Sequence, residues 1–163
     1  MIKVLFVCLG NICRSPLAQG LMEMKIDELG LNDQIKVDSC GTSQYHIGEQ
    51  PDERTLKNAL KNGLKLEHQA RQFSRKDFRT FDYIVTMDKA NMDCVKRLDQ
   101  TNEFSDKFML IRDFDPVDKG ADVPDPYFGG EEGFQHVYLI LQRSVSEFLN
   151  QIIKTHGLNV SIS

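Results

Sequence analysis

A cysteine, an arginine and a serine stand close together near the start of the chain, in an order that suits phosphate chemistry. Cys8 ends an apolar run, Arg14 follows six positions later, and Ser15 comes directly after it. A thiolate is a strong nucleophile, and a planar guanidinium group can bind two oxygens of one phosphoryl group. We therefore interpret the spacing as a phosphate-binding loop, with Cys8 as the nucleophile and Arg14 as the phosphoryl ligand.

The residues between the cysteine and the arginine suit a tight loop. They are Leu9, Gly10, Asn11, Ile12 and Cys13. Glycine lets the backbone curl without a Cβ penalty, and asparagine tolerates left-handed dihedral angles. Ser15 stands directly before Pro16, a pair that predicts a helix start with the serine as its cap, and its hydroxyl can also donate a hydrogen bond to the thiolate. The nucleotide-binding patterns GxxxxGK[ST] and GxGxxG are absent from the sequence, which disfavours a nucleotide hydrolase.

Release of an alcohol or phenol from phosphorus needs a proton donor, and Asp125 is our first candidate. It stands between Pro124 and Pro126, which restrict the local backbone to extended conformations. An ordinary Asp-Pro turn explains the same spacing equally well. The same segment contains three further candidates, which stay open at this stage: Asp113, Asp115 and Asp118.

The elements that must position these residues follow from hydrophobic periodicity. Continuous apolar runs predict four strands, at residues 3–8, 35–40, 83–87 and 107–111. Helical spacing predicts helices over 16–29, 52–63, 74–78 and 90–98, with Leu56, Ala59 and Leu60 facing inward. A long irregular segment, 113–133, precedes a final amphipathic helix that begins near Phe134.

Alternating strands and helices predict a single α/β domain over residues 1–163. We expect a three-layer, doubly wound fold with a four-stranded parallel sheet and helices on both faces. Ligands of such sheets bind beyond the carboxyl ends of the strands, where Cys8 stands. Its loop also leads into a helix N-terminus, whose backbone N–H groups and dipole favour an anion.

The composition of the chain argues against several classes of binding partner. A net charge of -4 and a pI near 5.6 argue against a nucleic-acid partner. The basic stretch 54–79 is interpreted as a solvated helical face with a share in steering anionic substrates. The four cysteines show neither zinc nor disulfide spacing, so we expect reduced thiols, no metal and a cytoplasmic location. No apolar run approaches about 18 residues, so no membrane partner is expected.

Five segments together resemble the low molecular weight protein tyrosine phosphatases. They are Val-Cys-Leu-Gly-Asn-Ile-Cys-Arg-Ser-Pro at 7–16, Val-Asp-Ser at 37–39, His-Gln-Ala-Arg-Gln at 68–72, Phe-Asp-Tyr-Ile-Val-Thr-Met-Asp at 81–88 and Asp-Pro-Tyr-Phe at 125–128. The resemblance covers almost the whole chain. It implies an enzyme without metal that forms a cysteinyl-phosphate on Cys8, binds phosphoryl through Arg14 and uses Asp125 as acid and then base. We expect no cofactor and a monomer.

The resemblance also implies roles around these three residues. Ser15 supports the cysteine, while Asn11 and His68 shape the loop. The substrate entrance is lined by aromatic residues, Tyr45, Tyr127 and Phe128. Cys13 resembles the second loop cysteine of the family, which can trap the nucleophile as a reversible disulfide under oxidation.

The implied substrates are phosphotyrosine-containing proteins or small aryl phosphates, with inorganic phosphate as a product. Related phosphoarginine enzymes typically carry threonine where this chain has Ile12, which again favours phosphotyrosine. Some family members have a second tyrosine where this chain has Phe128. Two alternatives remain: an arsenate reductase of the same fold, which would need a cysteine pair beyond Cys8, and a catalytically silent phosphate-binding module.

Overall fold

Four parallel strands and five helices make up the chain in a computed structural model, which describes residues 1–161. The strands are β1 (Ile2–Cys8), β2 (Ile35–Gly41), β3 (Tyr83–Thr86) and β4 (Phe108–Leu110). The helices are α1 (Arg14–Glu28), α2 (Glu53–Lys61), α3 (Asp77–Thr80), α4 (Lys89–Leu98) and α5 (Glu131–His156). Two 3₁₀ turns, Ser105–Lys107 and Ile111–Phe114, flank β4. The last two residues of the predicted domain, 162 and 163, lie outside the described residues.

The sheet has the strand order β2-β1-β3-β4, and every neighbouring pair is parallel. β1 is central and buried on both faces. Val4 and Phe6 pack with residues of α1, α2 and α5, whereas Leu5 and Val7 pack on the opposite face, where α3 and α4 lie. The predicted three-layer, doubly wound fold is confirmed, and it places Cys8 at the carboxyl end of the central strand.

The start of α1 differs from the prediction. The helix begins at Arg14, two residues before Pro16, and Ser15 does not act as its cap. The Ser15 hydroxyl instead lies within hydrogen-bond distance of the Cys8 thiol and accepts a hydrogen bond from Asn11. Because these partners occupy the hydroxyl, the sequence signal for a helix cap marks a residue of the phosphate loop.

Several other boundaries also differ from those predicted. The short helix lies at Asp77–Thr80 because the Asp77 carboxylate accepts the Ser74 N–H and closes a turn before it. α5 begins at Glu131, three residues before Phe134. Leu60, predicted to face inward, is 66% exposed, since α2 buries only one edge of its surface.

The basic stretch 54–79 is not one solvated face, which corrects that interpretation in part. Arg71 is partly buried and binds the carboxylates of Asp38, on β2, and Asp77, at the start of α3. The two bonds to Asp77 form a parallel fork, a geometry that only arginine supplies. Arg71 therefore joins two elements beneath the phosphate loop, and its role is structural.

Candidate active site

The loop between β1 and α1 forms the floor of a cleft of about 210 Å³ at the carboxyl edge of the sheet. The lining residues come from three segments: Cys8, Leu9, Gly10, Ile12, Cys13 and Arg14 from the loop, Ser43, Tyr45 and His46 from the connection after β2, and Asp125, Tyr127 and Phe128 from the segment before α5. The cleft thus brings together residues more than a hundred positions apart in the sequence.

Cys8 lies at the bottom of this cleft and is held by two neighbours. The Asn11 backbone N–H points at the Cys8 Sγ at 3.3 Å, and the Ser15 Oγ lies 3.0 Å from the same sulfur. The Asn11 side chain donates to the Ser15 Oγ at 2.7 Å, and the serine hydroxyl hydrogen has two acceptors within reach, the Cys8 Sγ at 3.0 Å and the Cys40 carbonyl at 3.3 Å. Both contacts are suited to a negatively charged sulfur.

Asn11 holds the loop in shape through all four positions of its side-chain amide. Its Nδ2 donates to Ser15 and to Ser39, and its Oδ1 accepts from the His68 Nε2 at 2.8 Å and the Arg71 N–H at 3.0 Å. Its φ of 57° is left-handed, a conformation that asparagine tolerates. No other side chain of this size would satisfy the same four partners.

His68 occupies the position expected of a residue that supports the loop. Burial lowers its pKa, the nearby Asp38 acts in the opposite direction, and the Arg71 charge lowers it further. Its Nε2 must carry the hydrogen in order to donate to the Asn11 Oδ1. The loop therefore requires a hydrogen on Nε2, and the lowered pKa favours the neutral ring.

Arg14 is buried and oriented by two acceptors on one nitrogen. Its Nη1 donates to Asp88 at 2.7 Å and to the Val123 carbonyl at 2.9 Å, while its Nη2 lies 3.7 Å from the Asp125 carboxylate. Burial opposes the charge of Arg14, but the Cys8 and Asp88 charges outweigh it and raise the pKa of the guanidinium. Arg14 is therefore charged at every physiological pH.

Sequence reasoning assigned no role to Asp88 and Gly41. Asp88 follows β3 and also caps α4 by accepting the Asn91 N–H at 2.7 Å. Its place beyond the carboxyl end of a parallel strand was the available signal. At Gly41 an added Cβ would lie 2.7 Å from the Leu9 carbonyl oxygen, so glycine there allows the loop to pack against β2.

Gly10 has no left-handed backbone. An added Cβ would instead lie 3.0 Å from the His46 ring. The absence of a side chain at Gly10 therefore gives space to His46, another cleft residue that sequence reasoning missed.

Among the four candidate acids, Asp125 is the one that lines the cleft. Asp115 is fully buried between Arg112 and Arg143, and Asp118 lies 3.6 Å from Arg112. Asp113 accepts the Leu110 N–H. These three carboxylates thus interact with Arg112, with Arg143 or with the Leu110 N–H, and none of them lines the cleft.

The Asp125 carboxylate is oriented by its own turn. Its Oδ1 accepts the Tyr127 backbone N–H at 3.0 Å, and its side chain is 40% exposed toward the cleft. The Tyr127 and Phe128 rings meet edge to face, with centroids 4.9 Å apart. Tyr45 and Phe128 are 80% and 93% exposed, so they form the mouth of the cleft and do not belong to the core.

Cys13 is largely buried within the wall of the cleft, where it packs with Ala70 and Phe134. Burial raises the pKa of the Cys13 thiol to about 12. All four cysteines are free thiols. Cys40 lies fully buried on β2, and its carbonyl is 3.3 Å from the Ser15 Oγ.

In residues 1–161 no three His, Cys, Asp or Glu side chains are grouped to hold a metal ion. Every helix in that range is too short or too polar to cross a membrane.

A parallel α/β sheet whose central strand ends in a loop with a cysteine and an arginine is typical of cysteine-based phosphatases. The family model described as low molecular weight phosphotyrosine protein phosphatase matches residues 3–158, and the chain belongs to that family. The sequence is 41% identical to the low molecular weight phosphotyrosine protein phosphatase of Schizosaccharomyces pombe over 152 residues, covering 93% of this chain and 97% of that protein.

Solved structures share the fold over nearly the whole chain. A protein tyrosine phosphatase from Entamoeba histolytica, crystallised with Hepes in its active site, superposes with a TM-score of 0.89 at 36% identity, covering 97% of this chain and 100% of the other. A Drosophila arginine phosphatase superposes with a TM-score of 0.86 at 32% identity, covering 93% and 98%. Proteins of this fold are thus named both as tyrosine and as arginine phosphatases.

Proposed function

We propose that this chain hydrolyses phosphotyrosine monoesters with Cys8 as nucleophile, Arg14 as phosphoryl ligand and Asp125 as general acid and then base. The observation that carries the proposal is the convergence of these three side chains in one cleft. Arg14 in particular is oriented by Asp88 and the Val123 carbonyl, which leaves its Nη2 directed toward Asp125. A guanidinium fixed before the substrate arrives needs no reorganisation in the transition state.

In the first step the Cys8 thiolate attacks phosphorus, and the bond between phosphorus and the ester oxygen breaks. Loop N–H groups and Arg14 bind the equatorial phosphoryl oxygens. Asp125 gives its proton to the departing phenolate oxygen, which leaves as a neutral phenol. The turn that holds the Asp125 Oδ1 through the Tyr127 N–H leaves the Oδ2 to carry this proton.

In the second step Asp125, now a carboxylate, takes a proton from water as the water oxygen attacks phosphorus. The bond between phosphorus and sulfur breaks, and inorganic phosphate is released. The sulfur departs as a thiolate, which the Ser15 hydroxyl at 3.0 Å and the Asn11 N–H at 3.3 Å stabilise. The reaction derived in this way involves no metal or cofactor.

Substrate preference rests on the entrance of the cleft. Tyr45, Tyr127 and Phe128 present aromatic surface that can stack on a phenyl ring. Phosphoserine is shorter and lacks the ring, so it would gain little from these contacts. Ile12 in the loop is apolar, which favours phosphotyrosine over phosphoarginine.

No observation favours the two alternatives. An arsenate reductase would pass oxidation to further cysteines, yet Cys40 is buried on β2 and burial raises its pKa well above that of a free thiol. Cys94 lies in α4. A silent phosphate-binding module would be expected to lack the nucleophile or the acid, and both are present.

The first test is turnover of p-nitrophenyl phosphate in the presence of EDTA. We expect turnover by the wild type and none by Cys8→Ser, with Cys94→Ser, a cysteine outside the cleft, as a matched control that stays active. Turnover by Cys8→Ser would refute the proposal. Initial rates on phosphotyrosine, phosphoserine and phosphoarginine peptides, measured side by side, then define the substrate class.

We also propose that residues 1–163 act as one phosphatase domain, as a monomer in the cytoplasm, on phosphotyrosine-containing proteins or aryl phosphates. The four free thiols support a reducing compartment. The net charge of -4 supports a role without nucleic acid or an anionic membrane surface. Light scattering of the purified protein tests the monomer.

A further inference from the structure

Arg54, in the first turn of α2, makes contacts on three sides beside the cleft. Its guanidinium carbon lies 5.3 Å from the centre of the Tyr127 ring and 4.8 Å from the centre of the Phe134 ring. Its Nε and Nη2 donate to the two oxygens of Asp52 at 3.0 and 2.9 Å. A planar guanidinium suits this arrangement, because its faces meet the rings while its edge forms the fork.

These contacts connect α2 to both halves of the cleft. The Asp52 backbone N–H donates to the Ile12 carbonyl of the phosphate loop at 2.7 Å. On the other side of the cleft, the Tyr127 backbone N–H holds the Asp125 carboxylate at 3.0 Å. Arg54 lies between these two links, so a continuous path of contacts leads from the phosphate loop through Asp52, Arg54 and Tyr127 to Asp125.

We propose that Arg54 is a positioning residue that fixes the Asp125–Phe128 segment against the phosphate loop, a proposal that rests on the proposed function. It holds the Tyr127 ring as a wall of the substrate cleft. It thereby also limits the movement of the turn that orients the Asp125 carboxylate. Arg54 does not line the cleft itself, so it acts on the substrate through Tyr127.

An alternative interpretation of the same contacts is that Arg54 only stabilises α2. The cap of α2, however, does not depend on the arginine side chain. The Asp52 carboxylate accepts the backbone N–H of residue 54 at 2.9 Å, a bond that any residue other than proline keeps. Replacement of the side chain therefore separates the contact with Tyr127 from the helix cap.

The test compares Arg54→Gln with the wild type on a phosphotyrosine peptide and on inorganic phosphate as a competitive inhibitor. We expect the KM for the peptide to rise about fivefold, the size of effect that a cation–π contact supports. We expect the inhibition constant for phosphate to change less than about twofold, because the loop that binds phosphate is intact. Arg54→Lys keeps the charge without the fork and should give a smaller rise in KM.

A double-mutant cycle with Tyr127→Ala identifies the route of the effect. Once the ring is absent, Arg54→Gln should cause no further rise in KM. The matched control is Arg79→Gln, since Arg79 also stacks on an aromatic ring, Phe104, at 5.3 Å, but outside the cleft. This control should leave KM unchanged.

The inference is overturned if the KM of Arg54→Gln equals that of the wild type, if the effect is the same with and without the Tyr127 ring, or if the phosphate inhibition constant rises in parallel with KM. Wild-type turnover of the peptide tests the proposed function in the same experiment. An inactive wild type refutes that function and this inference with it, whereas an active wild type with an unaffected Arg54→Gln variant refutes this inference alone.

Discussion

Replacement of Asp125 by asparagine tests whether this residue is the general acid of the cleft. The amide is the same size as the carboxyl group, and its oxygen can still accept the Tyr127 N–H that now lies 3.0 Å from the Asp125 Oδ1. The contact to Arg14 is 3.7 Å long and the Asp125 side chain is 40% exposed, so this ion pair contributes less than about 1 kcal/mol. We therefore expect Asp125→Asn to fold with nearly unchanged stability.

The effect on the rate depends on how much the leaving group needs a proton. General acid catalysis contributes about 10²–10⁴-fold, which corresponds to about 3–5 kcal/mol of transition-state stabilisation. The tyrosine hydroxyl has a pKa of about 10, so its phenolate is a poor leaving group at neutral pH. p-Nitrophenolate is far more stable as an anion and departs with little help.

For a phosphotyrosine peptide we expect the kcat of Asp125→Asn to fall about 10³-fold, and for p-nitrophenyl phosphate about tenfold. The assay is steady-state kinetics on both substrates with wild type and variant. Asp118→Asn, an acidic residue of the preceding loop, is the matched control and should retain activity on both. Equal losses on the two substrates would assign proton donation to another group and refute the reasoning.

Two further predictions concern stability. Asp115→Asn should lower the free energy of unfolding by about 3 kcal/mol in urea denaturation, because it removes the charge from a buried carboxylate that binds Arg112 and Arg143. Burial alone would raise the pKa of Asp115, but these bonds and the Val117 N–H lower it overall, so its contribution is present above about pH 4 and lost as the pH falls further. Burial lowers the pKa of His68, so the folded state binds fewer protons there than the unfolded chain; the free energy of unfolding should fall below about pH 6.5, and His68→Gln should flatten this slope.

The sequence predicts the phosphate loop well because its information is local. Cys8, Arg14 and the residues between them are contiguous, and a strand followed by a helix fixes their arrangement. The role of Asp88 depends on β3 lying beside β1, and that of Gly41 on the close approach of β2 to the loop. Strand order is a property of the whole chain, so these roles appear only in the folded structure.

The helix boundary at Ser15 shows that a local sequence signal can also mislead. Local propensity favours a serine before a proline as a helix cap, and this prediction is wrong because the hydroxyl bonds within the loop instead. The choice among four aspartates could not be made locally either. Arg112 and Arg143 bind Asp115, and Arg143 belongs to α5, 28 residues further along the chain.

The prediction that Cys13 can trap an oxidised Cys8 meets a specific chemical constraint. Hydrogen peroxide would convert the Cys8 thiolate to a sulfenic acid with release of hydroxide, and the Cys13 thiolate would then attack that sulfur and displace a second hydroxide. The attacking group must be a thiolate. Because burial raises the Cys13 pKa to about 12, only a very small fraction of Cys13 is ionised at pH 7.

Disulfide formation should therefore be the slow step, and its rate should rise nearly tenfold for each pH unit between 7 and 9. Mass spectrometry of peroxide-treated protein, quenched at successive times, measures the Cys8–Cys13 disulfide directly, with Cys13→Ser as the control that stops at the sulfenic acid. A fast reaction that is independent of pH would show that the wall around Cys13, with Ala70 and Phe134, opens before the thiols react. The pH dependence thus separates ionisation of a buried thiol from movement of the cleft wall.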